Sequence, residues 1–319
     1  MSFIDVFNGD ADGICALIQL HLDCPRTSTL VTGVKRDIAL LDRVTATSGD
    51  TVTVLDISMD KNRSALERLL ESGVEVKYFD HHYSGDIPDS ARLDANINTA
   101  ADVCTSLLVN GHLKGKYAEW ALVGAYGDNL KQSAIRIAKQ CDINTTDLEA
   151  LENLGIYINY NGYGSNLEDL HYRPEDLFKE LVRFKTPQEF ISSSTKTFNK
   201  LKNGYEGDMH AAGSLGPFSH SSKTAVYVLP DTPWARRVSG VFSNDLTNQY
   251  PQRAHAVLTE KPTGSYLVSI RAPLENKSGA DELCRMFPTG GGRAGAAGIN
   301  DLEKADLDRF LQEFEKRYG

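Results

Sequence analysis

Asp80, His81 and His82 stand side by side at the end of VEVKYFDHH, where Val74, Val76 and Tyr78 alternate like one face of a buried strand. A carboxylate and two imidazoles are metal ligands and proton carriers in a minimal length of chain. In an open α/β sheet, ligands and reacting groups collect just beyond the carboxyl ends of strands. Taken alone the triplet also reads as a polar turn with adjacent histidines. Other aspartates at similar places decide for the first reading. FNGDADGICA puts Asp10 and Asp12 on a strand-to-helix turn and TVTVLDIS delivers Asp56 at a strand end, while Asp128 in GAYGDN, near the end of a helix, reads by itself as a solvated helix terminus. Asp10 and Asp12 are two apart on a glycine-flanked turn, so both can converge on ions, or one can cap the helix instead.

Carboxylates packed this densely repel one another and resist ionising. A pair of divalent cations removes the conflict. Oxygen-rich ligation with one or two imidazoles favours Mn²⁺ or Mg²⁺ over a thiolate-type zinc site. Two such ions suit hydrolysis of a phosphate ester, where they activate water and neutralise phosphate oxygens.

The elements that must carry these residues alternate. SFIDVFN is a strand, ICALIQLHL a helix, TLVTGV a strand, and a polar helix is expected from about Arg36. TVTVLDIS, a helix over Lys61 to Ser72 and the strand ending at Asp80 follow. This alternation implies a parallel sheet with helices on both faces. Thr99 to about Tyr160 reads as helical, with ADVCTSLLVNG and YAEWALVGAYGDNL as two of the helices. Asn159 to Asn166, NYNGYGSN, reads as a loop, and residues 173–205 as two amphipathic helices. Beyond them the strand KTAVYVLP, a helix opening at Pro233, and two strands joined through Pro262-Thr263-Gly264 form a smaller α/β domain. It ends in PTGGGRAGAAGI and an amphipathic helix over about Asp301 to Tyr318. Gly290, Gly291 and Gly292 can expose consecutive N–H groups as a nest for phosphate, or form a flexible turn. The expected division is 1–185, a helical connector and linker over 186–222, and 223–319, with the active site in the cleft between the two domains.

The 319 residues exceed one compact core, and 41% hydrophobic with 24% charged residues is ordinary for a globular protein. A net charge of −9 argues against a sequence-independent grip on long duplex nucleic acid, but not against a small anionic substrate held through cations. The five cysteines are widely spaced with no CxxC pair, so reduced, mostly buried thiols and a cytoplasmic location are expected. No basic lead, signal core or membrane-length apolar run is present. His21, His112, His171, His210, His220 and His255 have no identifiable partner set, and packing or surface roles are expected for them.

The ordered set FNGDADGICA, TVLDIS, YFDHH and GAYGDN resembles the four motifs of the DHH phosphoesterase family. SIRAP followed by GGGRAGAAGI resembles its associated C-terminal domain, as in RecJ-like and nano-RNA-degrading members. The resemblance spans nearly the whole chain. It implies a two-metal site of Asp10, Asp12, Asp56, His81 and Asp128, with Asp56 bridging, Asp80 supporting and His82 facing the phosphate. It also implies that Arg271, Gly290, Gly291, Gly292 and Arg293 hold the far end of the substrate. Two positions depart from the pattern. Many members carry a histidine two or four residues before the first motif aspartate, where this chain has Asn8 and Val6. Asn8 offers only a neutral amide oxygen, a weaker ligand than imidazole. The glycine run is followed by Arg293 where histidine is usual, and a permanently charged planar fork suits phosphate. The implied activity is hydrolysis of short linear nucleotides, dinucleotides above all, to nucleoside monophosphates, and a homodimer is compatible with it. A single-strand exonuclease, a cyclic-dinucleotide phosphodiesterase, a pyrophosphatase and a non-catalytic nucleotide sensor are the alternatives.

Overall fold

The computed structural model describes residues 1–144 and 147–319, which divide into two compact units, Met1–Asn203 and Gly204–Gly319. The first unit opens with β1 (Phe3–Phe7), α1 (Ala11–Asp23), β2 (Thr29–Val31), β3 (Thr51–Leu55), α2 (Arg63–Glu71), β4 (Glu75–Asp80) and β5 (Leu93–Ile97). Its five strands run parallel in the order β2-β1-β3-β4-β5. A parallel sheet sends every carboxyl end to one edge. Register then levels the exits. Phe7, Leu55 and Phe79 pair in one row, so the residues that follow them, Asn8, Asp56 and Asp80, come at the same height, Asp80 as the last residue of β4.

One face of the sheet packs Ile4, Val6, Val52, Val54, Val76 and Tyr78 against Leu40, Leu41, Ala65, Leu66 and Leu69. On the other face, α1 lies against Asp5 and Phe7. His21 of α1 bonds the buried Asp5, whose second oxygen accepts from Arg26, so His21 does have a partner set. Burial alone would raise the pKa of Asp5, but His21, Ser28 and Arg26 together outweigh it and hold the carboxyl below its usual value. The first unit continues through α3 (Thr105–His112), α4 (Ala118–Gly127), α5 (Lys131–Gln140), α6 (Leu148–Gly162), α7 (Pro174–Leu181) and α8 (Pro187–Ser193), and the division at Asn203 falls within α9 (Thr195–Gly213).

Three sequence expectations fail here for identifiable reasons. The helix expected from Arg36 is only a 3-10 turn, Leu40–Arg43. The Asn62 side chain takes the Ile38 carbonyl and the Leu41 N–H, groups that a helix would use for its own ladder. NYNGYGSN is not all loop, because its first four residues complete α6. Asn159, Tyr160 and Asn161 are buried there, and Asn161 bonds both backbone groups of Tyr172. Residues 173–205 hold three helices rather than two, since Ser194 caps α8 before α9 begins.

The second unit adds β6 (Ser219–His220), β7 (Thr224–Leu229), α10 (Pro233–Gln249), β8 (Ala254–Glu260), β9 (Tyr266–Arg271), α11 (Ala280–Arg285), β10 (Gly290–Arg293), β11 (Ala296–Leu302) and α12 (Leu307–Tyr318). Its sheet runs β10-β11-β9-β8-β7-β6, with only β7 and β8 parallel. One face packs Ala256, Leu258, Val268, Ile270 and Ile299 on Leu283, Phe287, Phe310 and Phe314. The closing helix starts only at Leu307, because β11 continues to Leu302. All five cysteines are free, with Cys15, Cys104 and Cys284 buried and Cys24 and Cys141 exposed. Among the described residues no helix is long and apolar enough to cross a membrane.

His255 in β8 is fully buried, and neither ring nitrogen has a hydrogen-bond partner. Burial, helped by Arg253, pulls its pKa down to about 4. The unfolded chain therefore takes up this proton near pH 6.5 while the native state refuses it. This part of the stability is complete above about pH 6.5 and drains away as pH falls toward about 4, by roughly 3 kcal/mol. Urea unfolding of the wild type and His255→Leu at pH 7 and pH 4.5 should show the wild type losing more, by most of that amount. Equal acid losses in the two proteins would contradict it.

Candidate active site

The first turn is built around Asp10. Its Oδ1 caps α1 by accepting from the backbone N–H groups of Asp12 (3.0 Å) and Gly13 (3.1 Å). A Cβ at position 13 would stand 2.3 Å from the Asn8 carbonyl oxygen, so only glycine lets the turn close this tightly. The other carboxylate oxygen, Oδ2, accepts from the Lys35 ammonium at 2.5 Å, and that ammonium also donates to Asn159 Oδ1 at 2.9 Å. Burial alone would raise the Asp10 carboxyl, but the charge of Lys35 outweighs it and holds the pKa below its ordinary value. Burial likewise opposes the charge on Lys35, and Asp10 more than offsets it, so the ammonium titrates well above the lysine range. The Asn8 amide is engaged at both ends, accepting from Asp10 N–H and donating to the Lys35 carbonyl.

Asp12 points the other way, into the start of α3. Its carboxylate accepts from Thr105 N–H (2.7 Å), Ser106 N–H (2.7 Å) and Ser106 Oγ (2.5 Å). These are the unsatisfied donors of a helix N-terminus, which favour a negative charge. Asp56 follows β3 in the left-handed region at φ 60°, a conformation that costs a non-glycine residue energy and recurs at functional sites. Thr105 Oγ1 donates to it at 3.1 Å, and His81 Nε2 lies 3.4 Å from the same oxygen. No lysine or arginine pairs with it among the described residues, and its pKa is pushed well up. Burial is the main cause, followed by the charges of Asp10, Asp12, Asp128 and Asp80.

His81 donates Nδ1–H to the Val103 carbonyl at 3.0 Å, which leaves the Nε2 lone pair facing Asp56 and Asp128, the latter 3.8 Å away. Fixing one imidazole nitrogen on a backbone carbonyl is how proteins orient a metal-ligating histidine. Asp128 caps α4 at its C-terminus, and burial is the first cause raising its carboxyl to about 6. His82 Nδ1 lies 2.7 Å from Asp80 Oδ1. Burial opposes its charge, yet the bond to Asp80 prevails and the His82 pKa is raised. Asp80 is fully buried and its other oxygen has no hydrogen-bond partner.

The donor set fits a hard divalent cation. Ligand atoms of Asp56, His81 and His82 lie within 4.8 Å of one another, as do those of Asp12, His81 and Asp128. Carboxylate oxygens with imidazole nitrogens are the ligands of Mn²⁺ or Mg²⁺ sites, and the raised pKa of Asp56 marks a charge still needing a cation. Asp10 and Asn8 belong to neither converging set. Lys35, Thr105, Ser106 and Asn159 are participants that motif reading missed. Only the Thr105-Ser106 pair carried a signal, as hydroxyl residues opening a helix.

In the second unit, cross-strand register puts Arg293, Ala296 and Arg271 in one row. Directly opposite residues share a face, so the two arginines emerge together over a methyl group. Arg271 bonds Asn244 of α10 and the Ile270 carbonyl, while Arg293 is exposed. The glycine run is an edge strand, not a nest. Successive N–H groups of a strand point to opposite sides and cannot converge on one anion. Local constraints explain two of the glycines: a Cβ at position 290 would lie 1.7 Å from the Cys284 carbonyl, and Gly292 has φ 139°, whereas Gly291 faces open space.

No family model and no curated protein matches the sequence. Solved structures do match. The RecJ exonuclease bound to manganese superposes with a TM-score of 0.60 at 16% identity, covering 98% of this chain and 88% of that one. RecJ from Thermus thermophilus in complex with Mn²⁺ gives 0.61 at 17%, covering 99% of this chain and 52% of that one. The pGpG-specific phosphodiesterase PggH from Vibrio cholerae gives 0.59 at 14%, covering 99% and 98%. The chain has the RecJ-like, two-domain fold.

An ionised Asp56 destabilises the folded chain at neutral pH, since its native pKa lies above the unfolded one. That cost fades as pH falls. Asn keeps the shape and tolerates positive φ. Asp56→Asn should therefore raise Tm in EDTA at pH 7.5 by roughly 2 °C or more, and less at pH 5. Added Mn²⁺ should stabilise the wild type far more than the variant. A lower Tm for the variant in EDTA would contradict this reading.

Proposed function

We propose that the protein is a divalent-cation-dependent phosphodiesterase that cuts short linear nucleotides, above all dinucleotides such as pGpG or another pNpN, to nucleoside monophosphates. The observation that carries this reading is the convergence of Asp12, Asp56, His81, His82 and Asp128 at one sheet edge, with an acidic centre that needs a cation. The fold shared with RecJ and PggH supports it, as does the net charge of −9, which disfavours long nucleic acid. Asp12, Asp56, His81 and Asp128 would hold Mn²⁺ or Mg²⁺. The bound cation supplies a lowered water pKa and charge neutralisation at the phosphate.

The protein's own groups do the rest. The α3 N-terminus and the Val103 carbonyl fix Asp12 and His81, so neither ligand must reorganise. Asp80 holds His82 by Nδ1 and favours its protonated form, leaving Nε2 on the far side of the ring to meet the substrate. As water attacks the bridging phosphorus and its bond to the 3′-oxygen of the leaving nucleotide breaks, Nε2 of His82 gives its proton to that departing oxygen, so both products are nucleoside monophosphates. Arg271 and Arg293 take a further phosphate of the nucleotide as a bidentate pair of donors. A cytoplasmic location accords with a nucleotide substrate.

The test is a panel of labelled pGpG, linear oligomers of increasing length, a cyclic dinucleotide and pyrophosphate, with Mn²⁺ and with EDTA. Dinucleotide cleavage should be at least on the order of tenfold faster than cleavage of longer oligomers and should vanish in EDTA and in Asp56→Asn. Equal rates at all lengths would make the protein an exonuclease, and binding without turnover would make it a sensor. Arg293→Ala should slow dinucleotide cleavage on the order of a hundredfold yet spare a small activated phosphodiester. Equal damage to both substrates would assign Arg293 a structural role.

A further inference from the structure

We propose that the Lys35 ammonium is a built-in cation that occupies one of the two cation positions, so that the site takes up a single divalent ion per chain. This rests on the metal-dependent reading above. The ammonium sits 2.5 Å from Asp10 Oδ2 and 2.9 Å from Asn159 Oδ1, where a coordinated ion would draw on the same oxygens. Nothing in the turn is left over for a divalent ion. Asp10 Oδ1 is engaged as the cap of α1, and the Asn8 amide accepts from Asp10 N–H while donating to the Lys35 carbonyl.

Two segments hold the lysine in place. Its N–H donates to the Gly162 carbonyl at the end of α6, its carbonyl accepts from Asn8 after β1, and its side chain lies 5.4 Å from the Tyr163 ring centre. A divalent ion bound on Asp10 would stand against this ammonium, like charge beside like charge. The remaining donors form their sets without Asp10: Asp56 with His81 and His82, and Asp12 with His81 and Asp128. His81 belongs to both sets, so one ion can draw on Asp12, Asp56, His81 and Asp128 while His82 stays on Asp80. The asparagine at position 8 has the same sense. A neutral amide suits a lysine carbonyl, whereas a histidine there would suit a transition ion.

Mn²⁺ binding to the full-length protein tests this without reference to turnover. Equilibrium dialysis with metal analysis should give one Mn²⁺ per chain at saturation, with the six-line electron paramagnetic resonance spectrum of an isolated ion. Lys35→Ala combined with Asn8→His should take up a second Mn²⁺ and show an exchange-coupled spectrum. Two ions of similar affinity in the wild type, with a coupled spectrum, would overturn the proposal and leave the metal-dependent reading standing. No Mn²⁺ bound would overturn both. A folded double variant that still holds one ion would also overturn it, because the lysine would then not be what fills the position.

Discussion

Repulsion among carboxylates is the constraint on which this structure turns. Asp10, Asp12 and Asp56 crowd together with almost no solvent to screen them, with the partly exposed Asp128 beside them, and the three buried carboxylates are dealt with differently. Asp10 receives a whole positive charge from Lys35 and two N–H groups of α1. Asp12 receives two N–H groups and a hydroxyl at the start of α3. Such charge-assisted bonds contribute about 1.5–3 kcal/mol each, enough to keep a buried carboxylate ionised. Asp56 has one hydroxyl donor and a distant imidazole, and its pKa rises accordingly. The charge is uncompensated at Asp56, where the proposed chemistry needs a cation.

Holding such a cluster together demands a stiff frame. Level strand ends place Asn8, Asp56 and Asp80 side by side, and helix packing brings in the remainder. A Cβ on Gly124 would stand 2.2 Å from Ser106 Oγ, and one on Gly127 would stand 2.3 Å from the Ala11 methyl group. The glycines of GAYGDN thus let α4 approach α1 and α3 closely enough to deliver Asp128 beside Asp12. Backbone strain at Asp56 costs on the order of 1–3 kcal/mol and is borne by the hydrogen bond from its N–H to Phe79 and by the surrounding core.

The carboxylates and His81 were legible in the sequence because each follows a strand or sits at a helix end with a clear periodic signal. The parallel sheet was legible for the same reason. β5 was not, since LDANI is a half-exposed edge strand bearing Asp94 and Asn96, and its polarity masks the alternation. Lys35 was equally invisible. It follows an ordinary strand-and-turn segment, and its importance comes from Asp10, 25 positions away, and Asn159, 124 positions away. The glycine run misled because glycines serve anion nests and tight backbone packing alike. Only its pairing with β11 and its contact with Cys284 separate the two uses.

The most direct measurement of the central claim is an anomalous difference map, recorded at the manganese edge, from crystals grown with saturating Mn²⁺. The account predicts one strong peak in contact with Asp56 and His81, with Asp12 and Asp128 within reach, and the Lys35 ammonium still on Asp10. Mn²⁺ bound away from these residues, or a site in which Asp56 keeps its place with no ion beside it, would contradict the account.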